Sequence, residues 1–383
     1  MQPTGTREEK KVEYLELIYD LIFVYIIGRN NSLLHHVHDG FIDGTMFLAY
    51  MLCTLAVIQI WNYTAYYINL HGRNGLRDHV FLFINMYLLY FIGEGTREHW
   101  QAYQNQYHAA WALILLNIGV QYLIELRNHR GQPAVTAGIK RMAAILLTQS
   151  VIVIAALPFS ETVHSWCAVA AIAFGMIATN LSGRKTDPAA VDFSHLSERA
   201  MLYVVFTFGE MIIAIAGYFE GEITWNRIYF SLMAFLIVTG LFLSYGTFYD
   251  HIVDREMRTD GLTYMLLHIF MIFALNHITT GLEFMQDEEI RLLPKLLFLI
   301  SSLVLYYVCL FAGLRYAKKR CRPDKRFVLI MAGIAASFLV LMIVLRRFMQ
   351  VNIAVTVVYV FGIFLLLHSI SLRNRRHAAK KSP

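Results

Sequence analysis

Apolar residues in this chain come in long runs rather than in narrow stripes. Leu21-Ile22-Phe23-Val24-Tyr25-Ile26-Ile27 is one such run, and runs of the same kind recur to the end of the chain. A stripe with a period of 3.6 residues would predict a helix lying on a soluble core. A run of about 20 mostly apolar residues predicts a helix that crosses a bilayer. Twelve runs qualify: 14–34, 45–68, 79–97, 107–126, 139–157, 163–181, 197–217, 226–249, 262–283, 294–316, 327–345 and 351–371. Pro158 follows the fifth and Pro294 opens the tenth, where a helix tolerates proline best. The third and ninth are the richest in polar residues. The pattern predicts an all-α, polytopic transmembrane helix bundle of about twelve spans.

Composition agrees. Of 383 residues, 57% are apolar and 16% are charged, against about 25% charged in a soluble domain. The first twelve residues are polar, and the run after them is too long for a signal-peptide core, so a cleaved leader is not expected. Cys53, Cys167, Cys309 and Cys321 are scattered, which predicts neither a disulfide framework nor a CxxC metal site. No GxSxG, Walker A, HExxH or Rossmann glycine pattern occurs, so no cofactor or soluble catalytic domain is expected, although an intramembrane enzyme is not excluded.

The charge distribution predicts orientation. Most of the 33 Lys and Arg fall at the N-terminus, near 69–78, 127–141, 184–185, 250–261 and 315–326, and at the C-terminus. With twelve spans these segments share one face. The other face holds Arg29, Arg97, Arg227, Arg291, Lys295, Arg346 and Arg347, and Arg199 opens the seventh span. Positive charge stays cytoplasmic, so the expected location is the cell membrane with both termini inside. Basic runs such as Lys318-Lys319-Arg320-Cys321-Arg322 then read as cytoplasmic anchors, and the net charge of +6 does not call for nucleic acid. The expected partners are the lipid bilayer and a small cation, proton or small solute; the sequence does not fix an oligomeric state.

The chain reads as two six-helix halves, 1–190 and 191–383, the second ending in a basic cytoplasmic tail. Tyr19-Asp20 in the first span and Gly209-Glu210 in the seventh each put a carboxylate before an aliphatic run, about half a chain length apart. Trp61, Tyr63, Tyr66 and Tyr67 before Arg77-Asp78 correspond to Phe242, Tyr245, Phe248 and Tyr249 before Arg258 and Asp260. Such repeats are common in transporters, with substrate sites at the repeat interface.

The carboxylates are the candidate chemistry. A charge at the bilayer centre costs about 2.5–3.5 kcal/mol. The six strongly apolar residues between Leu21 and Ile27 together return about 3 kcal/mol, so the first span can carry Asp20. Glu13, Glu16 and Asp20 share one helical stripe. Asp20 lies about 10 Å beyond Glu13 along the axis, out of reach of the membrane edge, so this stripe should face protein or water. Glu198-Arg199 opens the seventh span, and Arg199, Tyr203, Phe206 and Glu210 share a face. Arg199 and Glu210 are about 16 Å apart along the axis and cannot pair. Arg199 can instead meet Glu16 or Asp20 on a neighbouring helix, with Gly209 allowing close approach. Two readings stand open: a static ion pair that fixes packing, or a proton or cation site.

Asn85, His268 and Asn276 are secondary polar candidates, with interhelical hydrogen bonding as the plainer reading. Glu94 and Glu125 sit near span ends and read as solvated. His35 and Asp39 are spaced to chelate if helical, but with no second ligand cluster the segment reads as a hydrated, pH-sensitive loop and no metal ion is expected.

Two motifs resemble a known family. Val12-Glu13-Tyr14-Leu15-Glu16-Leu17-Ile18-Tyr19-Asp20-Leu21-Ile22-Phe23-Val24 resembles the opening of the bacterial low temperature requirement A family. His195-Leu196-Ser197-Glu198-Arg199, followed by Phe208-Gly209-Glu210, resembles its His-x-x-Glu-Arg and Leu-Gly-Glu signature. Phe208 replaces the usual Leu, and Ile18-Tyr19 stands where paired Phe is common; neither removes a charge. The resemblance implies a polytopic bacterial membrane protein and supplies no substrate. A fainter similarity is to two-repeat, six-span potassium channels with an aromatic-Ser-Asp motif early in each repeat. The functional expectation is a transporter or channel for a small ion or solute, with Glu16, Asp20, Glu198, Arg199 and Glu210 lining or bracing its site. The alternative is a non-transporting membrane sensor, or an envelope- or lipid-related factor or enzyme for low-temperature growth.

Overall fold

The structure is a computed structural model that describes residues 10–94, 100–220, 222–287 and 289–379. Arg7, Arg97, Lys380 and Lys381, counted above, lie outside these residues. The described chain forms twelve helices: α1 (Tyr14–Asn30), α2 (Gly44–His71), α3 (Leu76–Glu94), α4 (Trp100–Asn128), α5 (Pro133–Ala156), α6 (Glu161–Gly183), α7 (Phe193–Ala214), α8 (Trp225–Thr247), α9 (Leu262–Glu283), α10 (Leu292–Ala312), α11 (Lys325–Val344) and α12 (Met349–Ala379). Each falls on one of the twelve apolar runs. Ten are long and apolar enough to cross a membrane; α1 and α3 are the exceptions. The shortfall of α1 is physical: it has 17 residues and holds Glu16, Asp20 and Arg29, so it spans only about 26 Å. The fold is an all-α polytopic helix bundle.

Local chemistry sets several helix ends. Pro133 opens α5 at a position where its missing N–H costs nothing. Thr224 caps α8 by accepting from the Arg227 N–H at 3.3 Å, and Asp324 caps α11 by accepting from the Phe327 N–H at 2.7 Å.

The chain divides into two compact units. The first holds the chain up to Leu33, Thr45–Tyr203 and Arg255–Ile269. In it α3, α4, α5 and α6 pack in succession, and α1 lies on α3. The second holds Leu34–Gly44, Val204–Asp254 and the chain from Phe270 onward. In it α8 packs on α12, and α11 on α10 and α12.

The polar content of the ninth run has a simple explanation. α9 is the most completely buried of the ten apolar helices, and several of its polar side chains bond to its own backbone. The Asn276 amide donates to the Ile272 carbonyl at 2.9 Å, and His268 Nδ1 lies 2.8 Å from the Tyr264 carbonyl.

The His35–Asp39 segment is not a continuous helix: His35 ends a short 3-10 turn, Asn31–His35. Val37–His38 pairs with Phe41–Ile42 as a short antiparallel hairpin. Its turn, Asp39-Gly40, has positive φ at both positions, 51° and 78°, as a two-residue hairpin requires. The turn separates the two side chains: His38 meets Asp39 at 3.4 Å, and His35 meets Glu283 at 3.3 Å.

Candidate functional site

α1 has two unlike faces. Tyr14, Ile18, Leu21 and Tyr25 are exposed, which suits lipid. Glu16, Tyr19, Asp20, Phe23 and Ile27 are buried on the other side. The same rotation that greases one face therefore carries both carboxylates inward. On α7, His195, Arg199 and Tyr203 form a buried stripe at steps of four residues. These faces meet, and α2 contributes Trp61.

Arg199 is fully enclosed, as is Asp20. Arg199 Nη2 pairs with Asp20 Oδ1, and Arg199 Nε donates to Asp20 Oδ2 at 3.4 Å. The Trp61 indole N–H donates to Asp20 Oδ1 at 2.7 Å. Trp61 also lies under the guanidinium at 6.0 Å, and Tyr203 packs edge-on against it at 4.6 Å. Asp20 thus receives directed bonds from both neighbours.

Glu16 is held differently. Its Oε2 lies 3.1 Å from Arg199 Nη1 and 3.4 Å from His195 Nε2. Neither approach meets hydrogen-bond geometry, and that oxygen has no hydrogen-bond partner among the described residues. The Arg199 guanidinium and the His195 ring are its nearest partners. Glu16 also lines a cavity of about 810 Å³, whose walls include Lys10, Lys11, Glu13, Arg73, Asp78 and His79.

His195 is aimed by its neighbours. The Asn69 amide donates to His195 Nδ1 at 3.1 Å and to the Asp192 carbonyl at 2.7 Å. Nδ1 is therefore an acceptor, and the ring proton sits on Nε2, toward Glu16. Asp192 accepts from the His195 N–H at 3.0 Å, which caps α7, and from the Lys10 backbone N–H at 3.2 Å. Lys10 Nζ donates to the Gly72 carbonyl at 2.8 Å and to that of Ile68, closing the end of α2. Burial pulls the Lys10 ammonium below its ordinary value, against the opposing pull of Glu16.

Charges in this cluster do not balance. Two carboxylates face one guanidinium, leaving one negative charge when His195 is neutral. A proton on Glu16, or a cation, removes the excess. Lys10 on the cavity wall is the next positive group.

The other candidates sit elsewhere. Glu198 is half-buried and forms no ion pair among the described residues. Glu210 belongs to the second unit, is half-buried, and has no hydrogen bond or ion pair among them. A Cβ added at Gly209 would meet nothing within 4 Å, so no close helix approach depends on it. Asn85 lies just behind the cluster: it donates to the Tyr19 hydroxyl at 3.4 Å and accepts from Asn117 at 2.8 Å. His268 and Asn276 are buried and bonded to their own helix.

Glu125 corrects an expectation. It is fully enclosed rather than solvated. Arg77 pairs with it, and the Asn128 amide donates to it at 2.9 Å. Together these compensate the burial of its charge. His71 and His129 stand beside it, with ring centres 5.4 Å apart.

Sequence reasoning missed Trp61 as a partner of Asp20 and His195 as a partner of Glu16. His195 carried a signal, since it lies one turn before Arg199 on the same face. Trp61 carried none beyond its rarity in a polar-edged aromatic run.

Residues 11–362 match the family model described as bacterial low temperature requirement A protein (LtrA). The chain belongs to this family. The match takes in both motifs that carried the resemblance, and therefore every residue of the cluster except Lys10. It makes the chain, with its many apolar helices, a multi-pass integral membrane protein of the low temperature requirement A family. No curated protein and no solved structure matches it.

Proposed function

We propose that this protein is a transporter or channel for a small ion or solute in the cell membrane, with both termini cytoplasmic. In this reading Glu16 meets the transported species, and Asp20, Trp61 and Arg199 form a fixed brace behind it. The observation that carries the proposal is the unequal treatment of two carboxylates one turn apart. Asp20 is enclosed and held by directed bonds. Glu16 borders an open cavity, lacks a directed bond to Oε2, and sits in a cluster one positive charge short. A group meant only to lock helices together would be bonded like Asp20. A group that exchanges a proton or cation has to border an aqueous space and be incompletely satisfied; Glu16, though itself buried, lines the cavity and has an unsatisfied oxygen. Glu210 is proposed as its counterpart in a second six-helix half, residues 1–190 and 191–383 being an old duplication.

The test is flux from proteoliposomes, with a panel of monovalent cations, with and without an imposed pH gradient. Glu16→Gln should lower flux to the level of empty liposomes while the protein stays monodisperse and fully helical. Full flux in that variant would remove Glu16 from the proposed role.

A second reading, a non-transporting sensor or an envelope- or lipid-related factor, draws on the enclosed pairing of Asp20 with Arg199. It is favoured if no cation moves and a lipid or partner protein co-purifies.

A further inference from the structure

In the second unit α11 is poorly packed. Of its twenty residues only Met331, Phe338 and Met342 are buried. Between it and its neighbours lies a cleft of about 310 Å³. Tyr307 and Phe311 of α10, Met331 and Ala335 of α11, and Tyr359 of α12 form its walls. An apolar cavity of about 150 Å³ already admits a benzene molecule, so this one is large enough for hydrocarbon and too apolar to hold ordered water.

Pro323 and Phe327 line this cleft and also a second cavity, of about 420 Å³. The second has opposite chemistry: Arg320, Arg322 and Arg326 line it, with Asp324 as its one acid. All three arginines are exposed and form no ion pair among the described residues. The Asp324 carboxylate caps α11, so its charge is committed to the helix start. Guanidinium groups suit phosphate better than ammonium does, because their fork matches two oxygens at once. An apolar slot within the spans thus adjoins a cationic chamber at their end, in the arrangement of a lipid with a negative headgroup.

We propose that these adjoining cavities form a binding site for an anionic phospholipid. One acyl chain occupies the cleft among α10, α11 and α12, and the phosphate sits among Arg320, Arg322 and Arg326. A zwitterionic lipid would fill the slot without using the arginines. A free phosphate would use the arginines and ignore the slot. The site does not depend on the transport reading, since its readout is lipid binding rather than flux.

The full-length protein in detergent micelles is titrated with phosphatidylglycerol and with phosphatidylcholine, and bound lipid is counted by native mass spectrometry. Phosphatidylglycerol should bind more tightly. Replacing Arg320, Arg322 and Arg326 together by Gln should erase that preference, on the order of fivefold for each charge removed. Ala335→Trp, at an exposed position that fills the cleft, should weaken both lipids. Lys318→Gln with Lys319→Gln, whose side chains do not line the cavity, should leave the preference intact. Equal binding of the two lipids overturns the proposal. So does displacement of phosphatidylglycerol by equimolar glycerol phosphate, which would mark a headgroup-only site. An equal loss in the lysine variant also overturns it, because the preference would then be general electrostatics.

Discussion

At the scale of single residues, Arg199 carries the largest consequence. It is enclosed with two carboxylates, and removing it strands both. Breaking a buried pair from one side costs about 3–5 kcal/mol, whereas replacing all partners by neutral groups of similar size is often close to neutral. Arg199→Met should therefore lower the thermal midpoint in detergent sharply. The triple variant Glu16→Gln, Asp20→Asn, Arg199→Met should recover most of the loss. A single variant as stable as the parent would show that the cluster is solvated rather than buried. His35 gives a second test at this scale. The Glu283 carboxylate lifts its pKa above the ordinary 6.5, against the opposing effect of burial. A raised value in the folded protein means that the contact stabilises fully below about pH 6.5. Its contribution is lost as pH rises through the folded value. In Glu283→Gln the His35 resonance should titrate nearer the ordinary value, and an unchanged midpoint would remove Glu283 as the cause. The sequence made Asp20 and Arg199 legible because each was a charge without a local partner, and a buried charge demands one. It could not make Trp61 or the tautomer of His195 legible. Those depend on how α2 and α7 are rotated against α1, and aliphatic surfaces leave that rotation open.

At the scale of elements, helix existence was legible and helix packing was not. Run length fixes a span almost alone, because backbone groups in lipid must bond within their own segment. Packing is decided by small and polar residues whose spacing looks ordinary in sequence. α6 supplies an instance. Gly175 faces a buried set in which the Tyr63 hydroxyl donates to Gln149 at 2.9 Å, Gln149 donates to Gln59 at 2.6 Å, and Gln59 donates to the Ile172 carbonyl at 3.1 Å. A Cβ at Gly175 would press on Tyr63 and stand 2.7 Å from both Gln149 Oε1 and Gln59 Nε2. The three side-chain ends would have to move together, and none of these groups has water to turn to. Overpacking of this kind costs about 1–3 kcal/mol. Gly175→Ala should lower the thermal midpoint, while Gly209→Ala, which meets open space, should leave it unchanged. Equal midpoints for the two variants would mean that the polar set relaxes freely and does not hold α2, α5 and α6 in register.

At the scale of the whole molecule the question is whether α1 and α3 cross the membrane, since both fall short in length or apolarity. The charge pattern answers through parity. Arg73 and Arg77 join α2 to α3; Arg127, Arg130, Lys140 and Arg141 flank the link from α4 to α5; Arg184 and Lys185 join α6 to α7. These links share a face with the N-terminus and with one another if every helix before them crosses. Omitting α3 alone would set the α2–α3 link against the two later ones, and omitting α1 alone would set the basic N-terminus against all three, either way against the usual bias. Energetics permits α1 to cross, because the six strongly apolar residues from Leu21 to Ile27 offset the charge of Asp20, which is paired with Arg199 in the folded protein. Single cysteines at Lys11, His38 and Lys185 separate every case when intact and permeabilised cells are treated with an impermeant maleimide. If both helices cross, Lys11→Cys and Lys185→Cys share a face and His38→Cys lies on the other. Were only one to cross, Lys11→Cys and Lys185→Cys would label from opposite sides. Were neither to cross, Lys11→Cys and His38→Cys would label from the same side. The expected result is the first, with Lys11→Cys and Lys185→Cys reached only after permeabilisation. It would put the cavity beside Glu16, with Lys10, Lys11 and Arg73 on its walls, on the cytoplasmic side.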